Sequence, residues 1–539
     1  MKKSNLVKNA SVLMIASIVS RVIGLLYRRP LAAAVGAVGM GYYGFASGLY
    51  SILLLISSYS IPMAISKIVA EKNARKQYRS AHKTFLAALI YAVIVGGVTA
   101  LICWFGGRFL LPANQQNALP ALRALAPTIF LSAILGVFRG YFQAHRTMTP
   151  TSISQIAEQI MNALVSVAAA YVLIHVMAPD GGQAASVYGA MGGTIGTGAG
   201  VLVGLIFMVF VYWINRRYFR KKRRKDNTRT EDSYTEILRT IFLMITPIIF
   251  TSFIYNCSSY LNSFLYSSIQ GWHRIDSELI ASAYGEYINF YIPIIGIPLA
   301  VASASTSAMM PEVAGRYAIG EVREANTEVN RTMQLTMFIC IPCMIGLTVL
   351  SYPIMGVLFP TSTDLAAKLL LTGSIFAVTD SFSIVSGGVL QAIGHQRKAL
   401  VNAGISLAAN MVSLAVMLLI LPVLDVYAVM LANILFSVVC CVLNVLSMRK
   451  YLGYQAEIQK TYIEPLIASA VMGAAAYILY RLVFAATKRP SLGLLVSIVL
   501  AILIYMILYV KVSRTPEKEM LRFPGGRYIV RLLKKVHIY

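Results

Sequence analysis

Three arginines interrupt the first long apolar stretch of the chain, within the segment SRVIGLLYRRP at residues 20–30. If that stretch enters a membrane near Leu6, a rise of about 1.5 Å per residue carries Arg21 about 22 Å inwards, past the middle of the hydrocarbon. Arg28 follows on the same helix face, about 10 Å further. A charge at the centre of a membrane helix costs about 2.5–3.5 kcal/mol on insertion scales, and it normally faces a wet cavity or a partner.

Arginine in such a cavity is suited to binding an anionic group. Its planar guanidinium stays charged and donates two parallel hydrogen bonds to a phosphate or carboxylate. Arg21, Arg28 and Arg29 therefore predict a cationic stripe that receives a diphosphate and a neighbouring carboxylate or sugar. The alternative is that Arg28 and Arg29 reach the outer headgroups while Arg21 pairs with a buried carboxylate.

Few other polar residues lie at membrane depth. Glu286 is placed with the substrate-binding residues, because it and Asp380 are candidates to pair with the arginines in one state and to bind Na⁺ or H⁺ in another. A role in contacts between helices is the alternative for both. The other polar groups at this depth are Gln155, Glu158 and Gln159 in the fifth predicted span and Asn256 and Asn262 in the seventh. Glu158 and Asn256 are assigned, with Asp380, to ion coupling or internal pairing; a place near the cytoplasmic surface is the alternative for Glu158.

Pro62 and Pro298 occupy matching places in the two halves of the chain, near the ends of predicted spans. A proline frees a carbonyl and bends a helix, which suits a gate, although kinks that only shape helix contacts are the alternative. Gly24 leaves the arginine face open and is grouped with these prolines as a gating residue.

Apolar stretches long enough to cross a bilayer recur along nearly the whole chain. Of the 539 residues, 58% are hydrophobic, and the mean hydropathy is +0.69, too apolar for a soluble protein of this length. The pattern predicts an all-α polytopic membrane protein with about fourteen transmembrane helices. The predicted spans are 7–36, 40–64, 84–106, 121–142, 151–176, 185–213, 237–265, 281–306, 333–353, 366–392, 399–421, 426–448, 462–485 and 491–511.

The net charge of +26 follows alternate loops rather than a nucleic-acid-binding surface. About 36 of the 47 Lys and Arg residues fall in alternate connections and about six in the opposite ones, which is the positive-inside asymmetry. Both termini are therefore predicted to be cytoplasmic, and no nucleic-acid partner is predicted. The cysteines and histidines show no metal-ligand spacing, so no cofactor is expected, and coupling to Na⁺, H⁺ or the membrane potential stays open.

The chain also contains an internal repeat. LMIASIVS at 13 resembles LMITPIIF at 243, SIPMAIS at 60 resembles GIPLAVA at 296, and two further pairs keep the same order. Two six-helix lobes of equal orientation follow, with rocking of one lobe against the other as the transport motion. The predicted parts are an N-terminal lobe at 1–215, a basic cytoplasmic linker at 216–236, a C-terminal lobe at 237–448, two added helices at 449–511 and a basic amphipathic tail for anionic lipids at 512–539.

Several segments together resemble one bacterial family. They are SRVIG, IPMAISKIVAEKNAR, RGYFQAHRTMTPTSISQIAEQ, YGEYINFYIPIIGIPLAVASASTSAMMPEVA and FPGGRYIVRLLKK. The resemblance is to the polysaccharide biosynthesis and stage V sporulation protein B group of the multidrug/oligosaccharidyl-lipid/polysaccharide (MOP) exporter superfamily, which also contains lipid II flippases.

The resemblance implies a V-shaped, two-lobed fold that translocates undecaprenyl-diphosphate-linked saccharides across the bacterial cytoplasmic membrane. Ser20 and Arg21 match a Ser-Arg motif whose arginine is essential in the cavity of lipid II flippases. The second family arginine falls near Arg28, one residue out of register. The acidic residue expected in the second span is missing from GMGYYGFASG, and Glu286 lies near the place of an absent eighth-span arginine. The cell-wall synthesis machinery is a candidate partner.

Three functions compete on these observations. A flippase for a lipid-linked oligosaccharide, above all the peptidoglycan precursor, agrees with the cationic stripe; another lipid-linked polysaccharide is the alternative cargo. A drug/cation antiporter on the same fold requires an acidic site among the N-terminal helices and no such stripe. A membrane glycosyltransferase usually requires a sizeable outer loop with catalytic acids or histidines. The predicted outer loops are short, so the chain is not expected to be an enzyme; the longest carries only His273, Arg274, Asp276 and Glu278.

Overall fold

The computed structural model describes residues 16, 19–59, 61–145, 147–226, 233–513 and 530. The regular structure of these residues is helical throughout, which confirms the predicted all-α class. The start of the first predicted span and nearly all of the predicted amphipathic tail lie outside the described residues.

Seventeen α-helices make up most of the described chain. They are α1 Arg28–Leu54, α2 Ile61–Ala74, α3 Tyr78–Leu110, α4 Leu119–Ala144, α5 Thr149–Met177, α6 Gly182–Arg224, α7 Tyr234–Trp272, α8 Ser277–Glu286, α9 Ile292–Ala318, α10 Val322–Val349, α11 Ser351–Leu358, α12 Asp364–Gly373, α13 Phe376–Ala392, α14 Gln396–Ile420, α15 Val426–Leu452, α16 Glu464–Thr487 and α17 Pro490–Ser513. Short turns of other helix types join them: 3₁₀ turns at Ala113–Ala118 and Pro422–Leu424, and π turns at Leu55–Tyr59, Tyr287–Tyr291 and Gln459–Ile463.

Helix α1 breaks at Gly36, whose φ of 76° and ψ of 174° are a conformation that essentially only glycine adopts. Before α1, residues 19–26 form another helical stretch that ends in a turn at Tyr27, and residues 19–29 together are called the arginine segment below. Because the first predicted span ends at residue 36, the first two predicted spans are joined by a one-residue turn instead of a loop.

Eleven helical stretches in the described residues are long and apolar enough to cross a membrane, or twelve if the bent pair α12 and α13 counts as one span. They correspond to predicted spans two to six, eight, nine and eleven to fourteen, and the bent pair corresponds to span ten. The bend between its two helices is 51°. The chain is therefore a multi-pass membrane protein, whereas the total of fourteen spans stays a prediction.

The described chain divides into two compact units, residues 1–285 and 286–539. In the first unit, α5 and α6 touch along their length through small residues. A methyl group on Gly192 would collide with the backbone of Ala170, and one on Gly196 would collide with Ser166. The glycines of α6 thus allow close contact between the two helices, as small residues do in membrane proteins.

Helix α7 and α8 up to Gly285 also belong to the first unit. The ring of Tyr284 in α8 stacks on Phe45 of α1 with 4.5 Å between centroids. Beside this pair the two backbones touch, because a methyl group on Gly41 would collide with the carbonyl of Ala281 and one on Gly285 would lie 2.6 Å from the amide nitrogen of Gly41. The boundary between the two predicted lobes, at the linker 216–236, was drawn from the sequence repeat. It stays a prediction.

A chain of buried amides joins three helices of the second unit. Asn402 of α14 donates to the side-chain oxygen of Asn444 in α15 at 3.0 Å, and Asn444 donates to the hydroxyl of Ser386 in α13, also at 3.0 Å. Helix α17 is bound to α10 in the same unit, since the hydroxyl of Tyr505 donates to the carbonyl of Phe338 at 2.8 Å. Polar contacts of this kind hold helices together where hydrophobic burial contributes little.

Candidate functional site

The arginine segment runs beside α5 in the first unit. A methyl group on Gly24 would lie 3.9 Å from Oε1 of Gln159, and one on Gly189 would lie 3.0 Å from Ile174 and 3.1 Å from Val35. Gly24 is level with Gln159, and further along the sequence Val35 in α1 is level with Ile174 in α5. The arginine segment with the start of α1 therefore runs in the same direction as α5. A polar stretch of α5 therefore borders the segment that carries the arginines.

The three predicted arginines lie at the surface of the first unit. Arg21 and Arg29 are exposed, and Arg28 is half-buried. Tyr27, next to Arg28 in sequence, is buried, and its hydroxyl lies 3.3 Å from that of the buried Tyr43. The guanidiniums thus form a cationic face on this unit and are not part of its core.

Two oxygen atoms next to this face are buried without a hydrogen-bond partner among the described residues. They are Oγ of Ser20, at the start of the arginine segment, and Oε1 of Gln155 in α5. Ser20 was predicted as a binding residue from the family resemblance, whereas Gln155 was predicted only to lie at membrane depth. Buried polar atoms normally have a hydrogen-bond partner, so the lack of one at these two oxygens requires an explanation.

Glu158 is paired inside the first unit. Its Oε2 lies 2.7 Å from a terminal nitrogen of Arg139 in α4, and Nε of the same arginine donates to Oγ of Ser154 at 3.0 Å. Of the two roles predicted for Glu158, this contact is of the internal-pairing kind. The sequence analysis missed Arg139, although its place near the turn between α4 and α5 brings it to the level of Glu158.

Glu286 is buried in the second unit and caps a helix there. Its carboxylate accepts backbone N–H groups of Thr363 at 2.9 Å and Ala366 at 3.0 Å, at the start of α12. Negative charge is favourable at a helix N-terminus, where backbone donors are otherwise unpaired. The structure brings Glu286 together with α12, and the substrate-binding role assigned to it stays a prediction.

Asp380 lies half-buried in α13, within a layer of hydroxyls and thiols of the second unit. The preceding residue, Thr379, accepts the hydroxyl of Ser437 at 2.6 Å through its side chain and the thiol of Cys441 at 3.1 Å through its carbonyl. No group of three or more His, Cys, Asp or Glu residues that would hold a metal is present in the described part of the chain. The ion-coupling role of Asp380 stays a prediction.

The remaining predicted residues lie apart from one another. Asn256 is exposed on α7. Pro62 is the second residue of α2, shortly after the π turn at Leu55–Tyr59, and it touches α4, since a methyl group on Gly140 would lie 2.7 Å from its carbonyl oxygen. Pro298 is buried inside α9, again after a π turn, and its carbonyl oxygen is 3.7 Å from the thiol of Cys340. Each half of the chain thus has a π turn followed by a proline.

The chain matches known membrane proteins over most of its length. The family model described as polysaccharide biosynthesis protein matches residues 6–314, and the MatE model matches residues 247–416. Lipid II flippase MurJ of Bacillus subtilis (strain 168) is 25% identical over 490 residues, which are 88% of this chain and 88% of that protein. Stage V sporulation protein B of the same organism is 23% identical over 540 residues, covering 98% of this chain and 100% of that protein.

Solved structures with the same fold include a flippase and a drug transporter. Lipid II flippase MurJ in an inward closed conformation has a TM-score of 0.65 at 14% identity, over 93% of this chain and 98% of its own. An inward-facing multidrug resistance MATE family transporter of the MOP superfamily has a TM-score of 0.61 at 14% identity, over 80% of this chain and 94% of its own. With a family model that matches more than half of its residues, the chain belongs to the polysaccharide biosynthesis protein family.

Proposed function

We propose that this membrane protein is a flippase that moves an undecaprenyl-diphosphate-linked saccharide, with lipid II as the preferred cargo, from the inner to the outer leaflet of a bacterial cytoplasmic membrane. The observation that carries the proposal is the cationic face of Arg21, Arg28 and Arg29 on a helical membrane unit. A relative that matches 88% of the chain is named a lipid II flippase, which supports a transporter and not an enzyme.

In this mechanism the arginines hold the diphosphate while the polyprenyl tail stays among the lipids. Each guanidinium donates a fork of hydrogen bonds to phosphate oxygens, and Arg21 and Arg28 are about 10 Å apart along the helix axis. A charged headgroup crosses the hydrocarbon at a lower cost when opposite charges accompany it along the path. The exposed arginine face supplies those charges.

Alternating access requires elements that bend and contacts that open. The turn at Gly36 and the π turns before Pro62 and Pro298 are the bending elements, because π turns and prolines interrupt the regular hydrogen bonds of a helix. Asp380 couples the movement to Na⁺, H⁺ or the membrane potential.

Both termini are cytoplasmic in the proposed orientation. Basic residues near the membrane on that side then contact anionic lipids of the inner leaflet. On the outer side, the cell-wall synthesis machinery receives the translocated glycan.

Two alternatives on the same fold have their own support. Export of another lipid-linked polysaccharide unit agrees with the family model over residues 6–314. A cation-coupled multidrug antiporter agrees with the MatE match over residues 247–416 and with the MATE transporter structure. The arginine face favours the first of these alternatives, since a cationic drug is repelled by it.

The proposal is tested by replacing the resident flippase of a living bacterium. Lipid II exposed on the outer surface is measured after depletion of that flippase, with expression of this protein, its Arg21→Ala variant or its Arg123→Ala variant. Arg123 is an exposed arginine that contacts the carbonyl of Trp104, away from the arginine segment, and it serves as the matched control.

We expect the wild type and Arg123→Ala to restore exposure and Arg21→Ala to lose it. If a well-expressed, correctly inserted wild type does not restore exposure, the cargo is another lipid-linked glycan and not lipid II. Full rescue by Arg21→Ala would remove the arginine face from the mechanism.

A further inference from the structure

We propose that Ser20, Gln155 and Gln159 form an uncharged subsite that binds the saccharide of the cargo, next to the arginines that bind its diphosphate. This inference rests on the proposed function and adds to it which part of the substrate each group recognises. It concerns residues of the first unit only, and it combines two observations: the alignment of two helices and two buried oxygen atoms without partners.

The alignment places the three residues in one row. Gly24 lies opposite Gln159, with a methyl group on the glycine 3.9 Å from Oε1 of the glutamine. Ser20 precedes Gly24 by one helical turn, and Gln155 precedes Gln159 by one turn. Because the two helices run in the same direction, Ser20 and Gln155 lie at the same level. Among the described residues, a methyl group on Gly24 would meet no atom within 4 Å besides Oε1 of Gln159.

The unpaired atoms indicate what this space binds. Oγ of Ser20 and Oε1 of Gln155 are buried and have no hydrogen-bond partner among the described residues. A glutamine carbonyl oxygen only accepts hydrogen bonds, while a serine hydroxyl both donates and accepts. A ligand that pairs with both oxygens therefore brings donors. An ionised diphosphate is rich in acceptors, whereas sugar hydroxyls and acetamido N–H groups donate.

The charge around the subsite agrees with a neutral ligand group. Glu158, the acidic residue on the same stretch of α5, is already paired with Arg139 at 2.7 Å and does not add a free negative charge. The arginine segment forms the cationic side of the site. A ligand with an anionic and a neutral part, as in a sugar diphosphate lipid, matches this division.

The assignment of the diphosphate to the arginines and of the saccharide to the uncharged subsite is tested by measuring the binding of two lipids to the full-length protein in nanodiscs. The probes are undecaprenyl diphosphate, which lacks the saccharide, and lipid II, which carries it. The variants are Gln155→Leu and Gln159→Leu, which keep the side-chain volume and remove the amide. Gln391→Leu in α13 of the second unit is the matched control, and Arg21→Ala is the variant expected to affect the diphosphate.

We expect each of the two α5 variants to bind lipid II about tenfold more weakly and undecaprenyl diphosphate within about twofold of the wild type. Arg21→Ala should weaken both lipids, and Gln391→Leu neither. A ratio of two affinities does not respond to general destabilisation, and if one of the α5 variants fails to fold, the other carries the test.

Three results would overturn the inference. If the wild type binds neither lipid, the proposed function fails and the subsite with it. If the wild type binds both lipids and the α5 variants bind lipid II normally, the function stands and the subsite does not exist. If an α5 variant weakens both lipids equally, its glutamine contacts the diphosphate or supports the helix instead.

Discussion

Arg21 and Arg139 show two uses of the same side chain in one membrane unit. Arg139 is 16% exposed and has both a carboxylate and a hydroxyl as partners, so its charge is compensated within the fold. Arg21 is exposed on the arginine segment. A buried charge paired inside the unit stabilises contacts between helices, whereas an exposed charge can be reached by a ligand. The surroundings of each arginine, and not its type, decide between the two.

At this scale we expect Glu158→Gln to destabilise the protein by about 1–3 kcal/mol, because it leaves the Arg139 guanidinium largely buried without its counter-charge. The measurement is the melting temperature in detergent. Glu71→Gln is the matched control: Glu71 and Arg75 form a pair of the same length, 2.7 Å, but their side chains are 53% and 66% exposed. Exposed pairs contribute at most about 1 kcal/mol. Equal shifts for the two variants would contradict an internal role for Glu158.

Helix α1 shows how one residue sets the course of an element. The backbone at Gly36 has a φ of 76° and a ψ of 174°, so the chain turns there without a loop and continues as a helix. Further along, π turns precede the helices that carry Pro62 and Pro298. The two prolines occupy matching places in the predicted repeat, and interruptions of this kind are where a helix bends at the lowest cost.

We expect Gly36→Ala to lower the unfolding free energy by about 1–3 kcal/mol, since an L-residue is strained in this conformation. Gly48→Ala, in the same helix, is the control: a methyl group there has no atom within 4 Å, and its backbone is helical. That change should be neutral or stabilising, by up to about 1 kcal/mol. Thermal melting of both variants in detergent is the measurement, and a Gly36→Ala variant as stable as the wild type would exclude strain at this turn.

Helix α6 is longer than a membrane is thick. Its 43 residues span about 64 Å, against about 30 Å for the hydrocarbon core. Its C-terminal part is fixed to the start of α3, because the carboxylate of Asp226 just after α6 accepts the backbone N–H of Arg79 at 2.6 Å. Trp213 is 56% exposed at the start of this part, and the exposed Arg216 lies over its ring at 5.1 Å.

We expect this end of α6 to bind anionic lipid headgroups. In a protein whose only tryptophan is Trp213, with Trp104 and Trp272 changed to Phe, brominated phosphatidylglycerol should quench fluorescence more than brominated phosphatidylcholine. Changing Arg216, Arg217 and Arg220 together to Gln should remove the difference, because the attraction is electrostatic. Lys488→Gln with Arg489→Gln, in a predicted outer loop, is the control. Equal quenching by both lipids in the unchanged protein would contradict the assignment.

At the scale of the whole molecule, the sequence predicted the class and most of the spans. Long apolar runs and loop charges are properties of the chain itself, so the helices at Tyr78–Leu110 and Pro490–Ser513 could be located without a structure. Contacts between residues distant in sequence could not be predicted in this way. Glu286 contacts the start of α12 across about 80 residues. No periodicity in the chain indicates that contact, and the unpaired oxygens of Ser20 and Gln155 likewise follow only from the way two helices meet.

Transport requires that contacts which close one side of the molecule open during the cycle. Under the proposed function, we expect the contact between Asn114 and Ser267 on the predicted outer side to open in this way. The Asn114 amide donates to the backbone carbonyl of Ser267 at 2.8 Å, and the Ser267 hydroxyl donates to the side-chain oxygen of Asn114 at 2.7 Å. A disulfide between Asn114→Cys and Ser267→Cys, in a protein without its own cysteines, should stop transport until it is reduced. Each single variant should remain active, and transport at the normal rate by the oxidised double variant would show that this contact does not open.

The most direct test of the arginine face is lipid translocation by the purified protein. Vesicles containing the wild type, Arg21→Ala or Arg123→Ala are loaded with a fluorescent undecaprenyl-diphosphate saccharide, and its movement between leaflets is followed with a quencher that does not cross the bilayer. We expect the wild type and Arg123→Ala to move the lipid and Arg21→Ala to be slower by about tenfold or more, equivalent to about 1.4 kcal/mol. A wild type that moves no lipid, or an Arg21→Ala variant that is as fast as the wild type, would contradict a flippase that works through these arginines.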